Sequence, residues 1–230
     1  MGDLFIRKAS VDSNWKDTTL VFLTLIYSGN LALGRIFSIE FQYAVLAIVF
    51  GFMLLNRTRR FFTPAFMYIA LIYLSILLIQ CISFSFYPFV TIAGFFTRLF
   101  IGYAMMRLVK NFPKVYVKVM VGLAILSFVF YFSYLLFYYS GINLDSKIIQ
   151  IATSLGTASS GSGYRYPLIF HTFVLFENSF FRNSGMFWEP GAFQGYLILA
   201  LIFLAFVKND MPRKQYIRYL LILCSAVLST

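Results

Sequence analysis

Residues 64–84 read PAFMYIALIYLSILLIQCISF, a run that carries no charge from end to end. At 1.5 Å of rise per residue, a helix of this length is about 30 Å long, the thickness of a bilayer's hydrocarbon core. The run predicts a transmembrane helix, and its neighbours repeat the pattern. Further apolar runs occupy 18–33, 36–55, 89–106, 115–139 and 191–207, and a seventh begins near Tyr216. Ser28, Gly29 and Asn30 weaken the first run, and Arg98 interrupts the fourth. The fold class they predict is all-α: a polytopic transmembrane helical bundle of about seven spans, forming a single domain over 1–230. The last run reaches Thr230 after about fourteen apolar residues, short of a full crossing. The expectation is therefore that 1–230 is the front part of a longer protein.

Composition agrees. Apolar residues make up 60% of the chain, charged residues 12%, and mean hydropathy is +0.81. A soluble domain with so few charges could not cover its surface. The net charge of +11 suggests nucleic acid until the basic residues are placed. With a cytoplasmic N-terminus, fourteen of them fall on the inside, among them Arg7, Arg57, Arg107 and Lys208. Four fall outside, Arg35, Lys147, Arg165 and Arg182, and Arg98 stays in the membrane. This is the positive-inside bias of a multi-pass protein. It accounts for the basic balance and sets nucleic acid aside. Residues 1–17 are polar and lack a small-residue cleavage site, so they do not read as a signal peptide. Cys81 and Cys224 fall inside apolar runs and read as core packing.

The loop 140–190 follows the fifth run and is expected outside the cytoplasm. Residues 153–163 (TSLGTASSGSG) are small and flexible. Residues 168–176 are apolar but too short to span, and are expected at the interface or against the bundle. Around them stand Arg165, His171, Glu177, Arg182 and Glu189.

Arg98 is the first candidate, because a charge at mid-membrane depth is costly and tends to be functional. Gly94, Arg98 and Gly102 share one helix face, where the glycines admit a neighbouring helix or a lipid-linked ligand. A structural arginine bonded to carbonyls or snorkelling to an interface is the other reading. In the segment 182–191, RNSGMFWEPG, Pro190 suits the first turn of a helix. Glu189 is either that helix's cap or a reactive carboxylate. Arg182 is placed to hold a phosphate near the helix start, or else is a solvated loop charge or a partner of Glu177 or Glu189. His171, the only histidine, is either a packed residue or a proton acceptor. Neither a glycine-rich phosphate loop nor a zinc-binding spacing occurs, so the chemistry expected is free of metal and cofactor.

The stretch RNSGMFWEPGAFQGYLILAL resembles the signature of the bacterial O-antigen polymerase and O-antigen ligase family of membrane glycosyltransferases. There an arginine, a nearby glycine and a Glu-Pro-type dipeptide close the main external loop and open a helix. The resemblance implies a fold similar to that of other polytopic membrane glycosyltransferases (the GT-C class) in the inner membrane. It also implies metal-independent transfer of a glycan from undecaprenyl diphosphate to a sugar hydroxyl. The partners implied are that lipid-linked oligosaccharide, the bilayer, and a chain-length regulator or flippase. On this reading Arg182, Arg98 and Arg165 bind diphosphate, Glu189 or His171 is the base, and Gly185 and Pro190 complete the motif. The Glu-Pro form inclines toward a polymerase rather than a ligase acting on lipid A core. A lipid-linked sugar transporter or flippase is the rival, but the inverted repeats expected of one are missing from the sequence. A non-catalytic membrane subunit would leave the charged loop without a role.

Overall fold

The computed structural model describes residues 15–29, 39–57, 62–140, 164–165, 171–175, 180–187 and 189–230. Among them are seven α-helices: α1 (Trp15–Gly29), α2 (Ile39–Arg57), α3 (Pro64–Phe84), α4 (Phe89–Leu108), α5 (Phe112–Tyr139), α6 (Pro190–Phe206) and α7 (Arg213–Ser229). Three are long and apolar enough to cross a membrane: α3, α4 and residues Phe112–Leu136 of α5. Tyr43–Leu55 in α2 and Pro190–Phe206 in α6 are shorter apolar helices. The expected helical bundle is present, and among the described residues three of its helices are of spanning length. Residues 1–14, which hold Arg7 and Lys8, lie outside the described residues, as do Asn30, Arg35, Arg59, Arg60, Lys147, residues 153–163 and Glu177.

α3 occupies the whole of the run that decided the fold, and its ends have local causes. Thr63 is extended, and its hydroxyl accepts from the Phe66 N–H at 3.3 Å, while Pro64 fills the first helical position. Ser85 ends the helix in the left-handed region at φ 49°. The helix is tied to α4 at its start, where the Thr63 N–H donates to the Tyr103 hydroxyl at 3.0 Å. Along the rest of its length Met67, Leu71, Leu74, Leu78 and Ile82 are all exposed. In a membrane protein such a face meets lipid.

α5 is the hub. It packs against α1, α6, α7 and the small sheet, while α2 packs mainly on α4. Val115, Val117, Met120 and Ala124 of α5 are buried. α6 buries Phe193, Leu197, Ala200 and Leu204, a spacing of four, three and four that keeps them on one helical stripe. α5 starts at Phe112, three residues before the apolar run did, and so includes Lys114. Its charge does not stop the helix, because a lysine can lay its stem along apolar surface and lift its head to water.

The loop departs from the all-α expectation. It carries three antiparallel strands in the order β1 (Tyr164–Arg165), β2 (His171–Leu175) and β3 (Phe180–Gly185). The segment His171–Leu175, expected at the interface or against the bundle, forms the central strand and packs against α5. Thr, Phe and Val in succession favour a pleated, half-buried surface. Both cysteines are free thiols: Cys81 is buried, but Cys224 is exposed and not core packing.

Candidate functional site

The sheet gathers candidates that are distant in sequence. Arg165 pairs with Thr172, which pairs with Asn183, and Tyr164 pairs with Phe173, which pairs with Arg182. His171 stands opposite Gly185, with an irregularity in register between His171 and Thr172. Arg165, His171 and Arg182 therefore lie on neighbouring rungs of one small sheet. Strands about 4.8 Å apart put the Arg165 and Arg182 backbones on the order of 10 Å from each other. The side chains of Arg165 and His171 lie outside the described residues.

β3 does not float above the bundle. It packs against α5, α6 and α7, and the Tyr131 hydroxyl of α5 donates to the Phe181 carbonyl at 2.9 Å. Arg182 is half-buried, and its Nε–H donates to the carbonyl of Thr230 at the end of α7. This bond uses Nε, and a guanidinium also carries terminal amino groups able to pair with an anion.

Asn183, which the sequence did not single out, is 1% exposed. Its amide donates to Ser127 Oγ of α5 at 2.9 Å and to Ser229 Oγ of α7 at 3.2 Å. Its Oδ1 accepts from the Gly185 N–H at 2.9 Å. One side chain thus joins the strand to two helices. The signal available was an asparagine within aromatic neighbours (FFRNSGMF), where a polar group needs partners. The identity of those partners depends on the tertiary fold. Ser184, beside it, is fully buried, and its hydroxyl has no hydrogen-bond partner among the described residues.

Gly185 has φ +55°, and a Cβ there would lie 3.0 Å from the Phe193 ring. Both facts call for glycine. The chain then turns through Met186 and Phe187, both buried, with the Phe187 N–H on the Ser184 carbonyl at 3.0 Å. Phe187 stacks on Phe193 and Tyr196 of α6. Pro190 occupies the first turn of α6, as its sequence position implied. Glu189 has the extended backbone of a cap residue but makes no side-chain capping bond. Its carboxylate is exposed. Glu189 is thus the N-cap by position, without a side-chain capping bond, and the fixed φ of Pro190 suits the helix start.

Arg98 stands elsewhere, tenth of the twenty residues of α4. Its guanidinium carbon is 4.7 Å from the Tyr43 ring centroid on α2. Among the described residues no carboxylate meets it. Gly94, Arg98 and Gly102 do share a face, and among the described residues nothing crowds the two glycines. A Cβ at either position would have nothing within 4 Å. Two cavities lie there instead. One of about 370 Å³ is lined by Thr91, Gly94, Thr97, Tyr43 and Arg98. The other, about 210 Å³, is lined by Tyr43, Arg98, Gly102, Met105, Phe112 and Tyr116 among others. The lining is mostly hydrocarbon and aromatic, with Thr91 and Thr97 joining Arg98 and Tyr43 in the larger cavity.

Together the fold and these sites define a class: a helical chain with spans of membrane length and an arginine-bearing sheet seated on the bundle. Compared with known protein families, curated proteins and solved structures, the chain matches none.

Proposed function

We propose that this chain is a membrane glycosyltransferase of the O-antigen polymerase type, sited in the bacterial inner membrane with its N-terminus cytoplasmic. It moves a glycan from undecaprenyl diphosphate to a sugar hydroxyl on the extracytoplasmic face. One observation carries the reading: β3 brings Arg182 next to Gly185 and the Pro190 start of α6, with His171 opposite Gly185 on the neighbouring strand and Arg165 one rung away, a position on the alternate face. Anionic diphosphate becomes more negative as the glycosyl bond breaks, and preorganised arginines stabilise that charge. Glu189, exposed at the same turn, or His171 takes the proton of the attacking hydroxyl. The hydroxyl oxygen forms the new bond to the anomeric carbon, and the lipid diphosphate leaves with the old bonding pair.

The test is a surface-polysaccharide gel of a deletion strain, followed by purified protein assayed with lipid-linked repeat units. A single-repeat band in the deletion strain is the expected result. Bare core with repeats stranded on carrier lipid would assign the chain to ligases instead, and an unchanged ladder would remove both. In the purified system Arg182→Lys keeps the charge but loses the planar fork, so turnover should fall at least tenfold. Glu189→Gln should abolish most turnover while carrier-lipid binding persists. Near-normal turnover would move the base to His171.

A further inference from the structure

The voids along α4 form a series rather than two unrelated pockets. The larger cavity includes Val90, Thr91 and Gly94, toward the Phe89 end of the helix. The smaller includes Gly102 and Met105, toward the Leu108 end, and reaches Phe112 and Tyr116 at the start of α5. The two share only Tyr43 and Arg98. At 1.5 Å per residue, Val90 to Met105 is about 22 Å of helix, so the pair of cavities runs along most of the span. Glycine at 94 and 102 leaves each one open, since nothing lies within 4 Å of where a Cβ would stand.

Chemistry is unevenly placed along this path. Arg98 supplies the one cation among the residues that line it. Side chains on a helix lean toward its N-terminus, so Arg98 leans toward the Phe89 end and the larger cavity. That cavity is also lined by Thr91 and Thr97, whereas the smaller one is walled chiefly by Val21, Leu25, Ile101, Met105 and Phe112. Tyr43 covers one face of the guanidinium by a cation–π contact, which leaves its in-plane donors directed elsewhere. A cation at membrane depth, open space on one side and a hydrocarbon slot on the other are complementary to one kind of molecule.

We infer that the α4 face, from Gly94 past Arg98 and Tyr43 to Gly102, binds a lipid bearing a phosphate headgroup. The phosphate meets Arg98 from the Gly94 cavity, and one hydrocarbon chain lies in the Gly102 cavity. The site itself stands on these cavities alone. Only the identification of that lipid as the carrier of a glycan rests on the function proposed above.

The experiment uses the full chain in nanodiscs of phosphatidylcholine, with photoreactive tracers whose reactive group sits on the chain. The tracers are a polyprenyl phosphate, a phosphatidylglycerol and a neutral polyprenol. Peptides containing Ile101 to Phe112 should be labelled by a phosphate-bearing tracer at least fivefold more than by polyprenol. Arg98→Gln should lower that labelling to the polyprenol level. Gly102→Leu, which fills the slot, should remove it, and Gly102→Ala should leave it within twofold, which guards against misfolding as the cause. Equal labelling by polyprenol, or labelling unmoved by both Arg98→Gln and Gly102→Leu, overturns the site. Labelling by polyprenyl phosphate but not phosphatidylglycerol supports a carrier-lipid site. Labelling by phosphatidylglycerol supports a site for bulk membrane lipid and takes it out of the donor path. If labelling persists while the deletion strain keeps its normal ladder, the lipid site stands and the glycosyltransferase reading falls.

Discussion

Gly102 on α4 and Gly185 at the end of β3 sit in regions with opposite packing. Beside Gly102 there is nothing within 4 Å, and a cavity opens onto a cation. At Gly185 the Phe193 ring already lies 3.0 Å from where a Cβ would be, and φ is +55°. One glycine keeps space for something else. The other lets a strand turn sharply against a helix. Around Gly185 the buried Asn183, Met186, Phe187 and Phe193 leave no gap, as a rigid platform for a site requires. Around Arg98, which is exposed, the α4 face carries an open groove instead. The contrast separates a part that holds its own shape from a part whose helix face stays open.

The largest expected effect breaks the packed side of this comparison. Gly185→Ala forces a Cβ into the Phe193 ring and into a left-handed conformation, for a combined cost of about 2–4 kcal/mol. Gly102→Ala should act in the opposite direction, because a helical Gly→Ala change in open space gains about 1 kcal/mol. Thermal unfolding of the two purified variants in one detergent checks both signs. Equal shifts for the pair would mean that the two glycines are not doing different jobs.

Next in size is Asn183→Ala. Ser127 and Ser229 would still donate to the Ala124 and Ala226 carbonyls, so the serines are not stranded. The buried Gly185 N–H, however, loses its acceptor, and the joint between β3, α5 and α7 loses all three of its bonds to Asn183. The expected loss is about 1–3 kcal/mol, with faster proteolysis of the loop at 176–187 than in the unmodified protein. A stability change below the error of the melting curve would show that the strand is held by its aromatic packing instead.

How far the sequence foretold these two regions follows from what each depends on. α3 was legible to the residue because a charge-free run bounded by polar residues and prolines has one stable solution in a bilayer. Pro190 was legible because its φ and missing N–H restrict it to a helix start. The shared face of Gly94, Arg98 and Gly102 was legible from periodicity, but its emptiness was not. A glycine states that a side chain is missing, and only the neighbouring helices decide whether something fills the gap. The sheet was hidden because β2 is five residues long and its stability comes from partners far along the chain. Asn183 was hidden for the same reason: Ser127 and Ser229 are each more than forty residues away from it.

The smallest expected effect concerns the two helix starts, and it sharpens the comparison at the level of a single bond. α3 and α6 both open on a proline, at Pro64 and Pro190. In α3 the preceding Thr63 accepts a hydrogen bond from the Phe66 N–H, whereas Glu189 before α6 accepts none from its helix. Thr63→Ala should therefore cost about 1 kcal/mol, the usual value of a side-chain cap. Glu189→Gln removes a charge but no capping bond, so the melting temperature should stay within error of the unmodified protein. Parallel melts of the two variants give the answer. A Glu189→Gln loss as large as that of Thr63→Ala would return Glu189 to the role of a cap and weaken its candidacy as the base. Unchanged stability with lost turnover would leave its carboxylate acting on substrate, the role of base proposed for it above.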